Sequence, residues 1–351
     1  MKRGHDGRFE ELDVLRGLAA MYVVLSHYST HCVSFFGEAP FGVDLGTGFY
    51  AVQLFFMISG FVISLTLERS NTWQDFAFSR LSRLYPVYWV VVTLVVALEF
   101  LVFGEKVWVG GYIANLTMLQ EFLGIGNLDN VFWTLTVELA FYVVMGVIFA
   151  TGFLCRVEVL GGIWLALACL WSLAEQHLGI GLPDVLPRYL ILRHAEFFVA
   201  GITFYLISAK GLTAGRVMLL FGALAAAGWI DGREVNGVAA VGWMDGLQRM
   251  SIAAVLITIF ILALSGRLRL SISPVTLWLG TISYSLYLSH RNLGFSTLNQ
   301  LHAARIPVWM TFTLTLAGAL ILGTALTYVI ERPALRALRR WYGTRSPVTT
   351  T

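Results

Sequence analysis

Val308-Trp-Met-Thr-Phe-Thr-Leu-Thr-Leu-Ala-Gly-Ala-Leu-Ile-Leu-Gly-Thr-Ala-Leu-Thr-Tyr-Val-Ile330 carries no charged side chain, and Glu331-Arg332-Pro333 closes it. A run of this length and polarity fits a helix crossing about 30 Å of hydrocarbon, for which about 20 apolar residues suffice. The rest of the chain repeats the pattern. Of 351 residues, 57% are hydrophobic and 13% charged, against roughly 25% charged in an ordinary soluble domain. Such a chain lacks the polar surface that water requires, so the expected class is an all-α integral membrane protein.

Apolar runs predict spans near residues 12–30, 48–68, 84–103, 131–152, 157–174, 190–208, 216–230, 249–265, 274–290 and 308–330. Segment 108–125, with Trp108, Tyr112, Asn115, Gln120 and Glu121, is too short and polar to span and is expected to be interfacial or re-entrant. The expectation is a bundle of about ten transmembrane helices. Sixteen Lys and Arg fall on the side of the N-terminus and six on the other, and basic loops stay cytoplasmic, so both termini are expected there. The ten-helix domain covers residues 1–340, and 341–351 read as a disordered cytoplasmic tail. The basic start lacks a small-residue cleavage site and reads as a retained first helix.

A net charge of +3, spread in short groups, gives no nucleic-acid patch. Cys32, Cys155 and Cys169 are widely spaced, which points to neither a disulfide framework nor a zinc site. No metal-ligand spacing, serine-nucleophile elbow or phosphate-binding glycine loop is present. Small residues such as Gly161, Gly162, Gly201 and Gly215 suit close helix packing.

Ionisable groups within spans are expensive unless they face the bundle interior, which makes Arg16, His27, Glu138, Arg193, His194 and Glu196 candidates. Arg16 and His27 share a helix face about 16 Å apart along the axis. Arg16 reads either as a snorkelling residue or as a functional one. His27 reads either as a satisfied helix-end histidine or as a base that takes a proton from a hydroxyl. Arg80 and Arg83 neighbour each other on a helical turn and suit a phosphate, though flanking arginines also obey the positive-inside rule. Glu138, about two turns into its span, needs a partner and either orients the histidine or forms a structural ion pair. Arg193 and Glu196 are close enough in sequence to pair locally. Gln53 and Ser59 sit in a notch with Gly60, where small residues also let helices approach. His290 ends a span and either lines an acceptor pocket or is simply wet.

These residues fall into motifs that resemble the membrane acyltransferase type 3 family, which O-acylates bacterial surface and exported carbohydrates. They are Leu12-Asp-Val-Leu-Arg16-Gly17-Leu-Ala-Ala with His27, then Phe55-Phe-Met-Ile-Ser-Gly-Phe61 and Arg80-Leu-Ser-Arg83-Leu-Tyr-Pro86. Trp133-Thr-Leu-Thr-Val-Glu138, Ser283-Tyr-Ser-Leu-Tyr-Leu-Ser-His290 and Glu331-Arg-Pro333 follow in the family's order. The resemblance implies acetyl or a similar acyl coenzyme A as donor, a carbohydrate acceptor and His27 as the essential residue. It implies Arg80, Arg83 and Tyr85 at the donor, and Arg16 and Glu138 in support. Trp133, Ser59, Gln53, Tyr284 and His290 would meet the acceptor. An inner-membrane location and no metal follow from the family, and a homo-oligomer is compatible with it. Two departures stand out. Leu139 follows Glu138 where the family often has a second acid, and the esterase-like extra domain of some members is not expected here, so a second step is expected to need another protein.

The expected reaction threads the donor's pantetheine arm from Arg80 and Arg83 toward His27, with direct transfer and an acyl-histidine route both open. A transporter or flippase of small acids or lipid-linked sugars is the rival reading, weakened by the lack of an inverted repeat. A sensor or scaffold would need neither the histidine nor the arginine pair.

Overall fold

The computed structural model describes residues 9–104, 108–178, 180, 185–230, 244–268 and 272–343. All regular structure among them is helical: α1 (Glu10–His31), α2 (Ala51–Glu68), α3 (Trp73–Phe103), α4 (Val109–Leu116), α5 (Trp133–Ala150), α6 (Val157–His177) and α7 (Val185–Tyr189). Then come α8 (Ala195–Lys210), α9 (Ala214–Trp229), α10 (Met244–Leu264), α11 (Pro274–Ser289), α12 (Arg291–Ala303), α13 (Val308–Ala325) and α14 (Arg332–Gly343). Every predicted span has a helix. Among the described residues six helices are long and apolar enough to cross a membrane: Ala51–Glu68, Trp73–Val102, Asn130–Ala150, Phe153–Glu175, Gly246–Leu264 and Val308–Gly343. The other four predicted spans rest on α1, whose first turn carries Glu10, Glu11 and Asp13, and on the 16-residue helices α8, α9 and α11. Large apolar side chains such as Leu101, Met218, Phe221 and Ile321 are exposed, as lipid-facing helices require and water disfavours.

The chain divides into two compact units. Met1–Ala19, Phe49–Phe76 and Trp133–Leu277 form the first. Its tightest helix crossing joins α2 and α8 at Gly60 and Gly201, where a Cβ on Gly201 would lie 2.0 Å from the Met57 carbonyl oxygen. Between apolar helices in lipid, backbone approach and van der Waals contact are the main attraction, which small residues permit. Aromatic pairs fill the remaining space, with Phe141 against Phe198 at 4.2 Å and Phe204 against Phe260 at 5.0 Å. Thr213 caps α9 by accepting from the Arg216 amide, and the Arg216 guanidinium donates to Glu158 at 2.6 Å.

Ala20–Gly48, Ala77–Phe132 and Trp278–Thr351 form the second unit. A π-turn, Cys32–Phe36, extends α1 until Gly37, at φ 71°, ends it. The following loop folds back on α1 through Ser29, which donates to Val43 O and accepts from Leu45 N. Helix α3 starts well before the apolar run predicted at 84–103, because Pro86 removes one amide donor without stopping the helix. Segment 108–117 runs back along α3, with Tyr112 paired to Thr93, Leu116 O to Trp89 and Thr117 O to Tyr85. Asn115 ties the loop after it back onto α4, donating to Gly111 O and Gly126 O and accepting from Leu128 N. Of the tail expected over 341–351, Trp341–Gly343 continue α14. Its remainder lies outside the described residues, as do Lys2, Arg3, Arg8, Lys106, Arg233, Arg269 and Arg345.

Candidate active site

Two polar constellations lie inside the helices, one in each unit. In the second unit, His27 sits near the C-terminal end of α1, one residue before the fully buried Tyr28. Its Nδ1 lies 2.7 Å from Nε2 of His290. The two rings are nearly coplanar, at 9°, with centroids 5.0 Å apart. That spacing leaves only the two ring radii outside the N···N contact, so the bond lies in the ring planes. Nδ1 of His290 is 2.7 Å from the Tyr287 carbonyl oxygen, a carbonyl in the last turn of α11 that the helix cannot pair in the regular way.

His290 stands at the joint between α11 and α12. Its carbonyl accepts from the Tyr28 hydroxyl at 2.8 Å and from the Gly294 amide at 2.9 Å. Only glycine fits at 294, since a Cβ there would lie 2.2 Å from the Tyr28 oxygen. Asp129 clamps the first turn of α12, accepting from the Asn292 amide at 2.9 Å while Arg291 stands 3.6 Å away. Burial raises the Asp129 carboxyl above the usual carboxylate range, and the Asn292 amide and Arg291 oppose that rise. The Arg291 guanidinium lies over Phe295 at 5.1 Å, and Phe295 meets the His27 ring edge to face at 6.3 Å.

Arg80 and Arg83 are both half-buried on α3, and Arg80 donates to Ser79 at 3.1 Å. Tyr85, expected at the donor, gives its hydroxyl to Thr117 O at 2.8 Å and so anchors the returning 108–117 segment. Tyr284, expected at the acceptor, is buried and donates to Leu84 O at 2.7 Å, which ties α11 to α3. His290 has no exposed surface; both of its ring nitrogens are already engaged within the protein. Ser285 donates to Glu331 at 3.1 Å, so the Glu331-Arg-Pro333 motif closes onto α11.

The first unit holds Arg16, Gln53, Ser59, Trp133 and Glu138. Glu138 accepts from Ser59 at 3.0 Å and from Tyr142 at 2.5 Å, so two neutral hydroxyls share its charge. Trp133 packs against His194 at 5.5 Å and Phe56 at 6.1 Å. Gln53 is buried on α2 with its Oε1 unpartnered, and Arg16 is half-buried. The expected helical placement of Arg193 and His194 is corrected. Both lie in a 3-10 turn before α8, because Ile191, at φ 54°, breaks the helix. Arg193 lies 3.9 Å from Glu175 and over Trp171, and Glu196 stands 3.4 Å from Arg249.

Sequence reading missed Tyr28, Asp129, Asn292 and Phe295. Asp129 has the clearest signal, a carboxylate just before a predicted span, yet its partners lie far along the chain. Tyr28 and Phe295 carry none, since an aromatic at a helix end reads as an interfacial anchor.

No solved structure matches the chain. It is similar to the protein named acyltransferase MdmB of Streptomyces mycarofaciens, 28% identical over 98% of this chain and 95% of that one. The exopolysaccharide production protein ExoZ of Rhizobium meliloti is 29% identical over 82% of this chain and 90% of its own. A shorter match covers 39% of this chain and 39% of a putative acetyltransferase of Acidianus two-tailed virus, at 26% identity. With residues 9–332 matched by the acyltransferase domain model, the chain belongs to the type 3 acyltransferase family that its motifs resemble.

Proposed function

We propose that this membrane acyltransferase moves an acyl group, acetyl in the first instance, from acyl coenzyme A to a hydroxyl of a carbohydrate acceptor. The observation that carries the reading is the in-plane contact between His27 and His290. It places an oriented imidazole inside a chain of acyltransferase ancestry. The likeness to an exopolysaccharide production protein supports a glycan acceptor. In this reading the helices cross the inner membrane ten times with both termini cytoplasmic, the donor enters from that side, and the acceptor lies on the other.

Arg80 and Arg83 would hold the phosphates of the donor through guanidinium forks. Leu84, next to Arg83, bonds Tyr284, and six residues of helical rise, about 9 Å, separate Tyr284 from His290 along α11. A pantetheine arm can cover that interval. His27 Nε2 takes the proton of the acceptor hydroxyl, and the alkoxide oxygen adds to the thioester carbonyl carbon. The C–S bond breaks as the C–O bond is made, and the thiolate of coenzyme A leaves with the proton returned from the imidazolium.

Purified protein in liposomes, given labelled acetyl coenzyme A and cell-envelope glycans, tests the reading. Label in glycan, released by mild alkali as an O-ester should be, supports it. Folded protein that transfers no acyl group across several donors and a broad glycan set would sink it in favour of transport.

A further inference from the structure

A neutral imidazole has one N–H and one lone pair, and the neighbours of the two nitrogens decide which is which. The Tyr287 carbonyl can only accept, so Nδ1 of His290, 2.7 Å from it, is the donor. Nε2 of His290 then carries the lone pair. Its partner at 2.7 Å is Nδ1 of His27, which must donate. His27 is thereby left with its lone pair on Nε2, the nitrogen that the reaction needs as base.

We propose that His290 is a positioning residue: through its Nε2 lone pair it holds His27 in the Nδ1–H tautomer and keeps that hydrogen bond when His27 becomes an imidazolium. This inference rests on the reading of His27 as the base. A second observation points the same way. The His290 backbone is fixed by Tyr28 and Gly294 on its carbonyl, and the next turn by Asp129 on the Asn292 amide. With the backbone of the α11–α12 joint held in this way, the ring of His290 can turn away from His27 only by also giving up its own bond to the Tyr287 carbonyl. The carboxylate that orients a histidine in many hydrolases is replaced here by a neutral ring backed by a peptide carbonyl.

Among the described residues, Tyr287 at 5.8 Å from the His290 ring, Tyr28, Arg291 with Asp129, and His31 bonded to Asn299 at 2.8 Å are charged or titratable groups that stand around the pair. They stay constant across substitutions at 290, so a change in pH profile reports on the His27–His290 bond.

The test compares His290→Leu, His290→Gln and His290→Glu with wild type and His27→Ala in liposomes, recording kcat and acceptor KM from pH 5 to pH 9. His290→Leu removes the acceptor atom and is expected to lower kcat roughly tenfold or more with KM little changed. Gln offers Oε1 near the position of Nε2 and is expected to recover most of the rate. Glu places a negative charge against His27 and is expected to move the acid limb of kcat up by about one pH unit or more. A wild-type rate in His290→Leu, equal losses in Leu and Gln, or an unmoved acid limb in Glu would each overturn the proposal. If His290→Leu does not fold, the Gln and Glu profiles decide alone. An active His27→Ala would overturn the base reading itself, whereas an inactive His27→Ala beside an unimpaired His290→Leu would overturn only the positioning role.

Discussion

Replacing Gly201 by alanine should loosen the first unit at its closest helix crossing. The added carbon would lie 2.0 Å from the Met57 carbonyl oxygen, against the 3.4 Å at which ordinary contact begins. Because the obstacle is backbone, no side chain can rotate out of the way, and α2 and α8 must part. A gap of even 0.5–1 Å forfeits about a quarter to a half of each dispersion contact, and overpacking of this kind costs about 1–3 kcal/mol. Alanine returns up to about 1 kcal/mol of helix propensity. Against a control that gains the same propensity, the loss is about 1–3 kcal/mol, roughly a fivefold or larger shift in the folding equilibrium. Unfolding from mild-detergent micelles by titration with sodium dodecyl sulfate, followed by tryptophan fluorescence, measures it. Gly215→Ala is the control, since a Cβ there meets nothing within 4 Å. A stability for Gly201→Ala within about 0.5 kcal/mol of that control would show that the crossing is not held by backbone approach.

Three further outcomes are expected. Arg80→Ala and Arg83→Ala should each raise KM for acyl coenzyme A by about tenfold to a hundredfold while kcat changes little, as the roughly 1.5–3 kcal/mol of a charge-assisted hydrogen bond implies; a fall in kcat alone would argue against donor binding. Asp129→Ala strips the first turn of α12 of its clamp on the Asn292 amide and should destabilise by about 1–2 kcal/mol, with Asp129→Asn intermediate in the same unfolding assay. Tyr28→Phe removes one of two donors to the His290 carbonyl and should cost about 1 kcal/mol of stability, measured the same way.

Much of this architecture was legible in the sequence because lipid imposes simple demands. Apolar runs of the right length had to be helices, and each predicted span contains one, six of them long and apolar enough to cross a membrane among the described residues. Gly60 and Gly201, marked as small residues, do meet across α2 and α8, whereas Gly215 packs against nothing. Boundaries and partners were harder. A strained φ at Ile191 moved Arg193 and His194 off α8, and no local pattern announces a left-handed isoleucine. Periodicity cannot reveal the break between α11 and α12 either, because residues 274–303 are helical on both sides of His290. The charged candidates were found by the price of placing charge in a membrane, which explains why Tyr28 and Phe295 escaped; Tyr85 and Tyr284 were reached only through the family motifs, and their hydroxyls bond Thr117 O and Leu84 O. The His27 to His290 bond spans 263 residues, a pairing that only the folded chain displays.

Single-turnover acyl transfer by His27→Ala, set against wild type at saturating acetyl coenzyme A, is the most direct test of the proposed base. Removing a general base should slow the chemical step by about 10²–10⁴-fold while donor binding, measured by calorimetry, is retained. A His27→Ala protein that binds donor and transfers the acyl group at the wild-type rate would contradict the assignment of His27 outright.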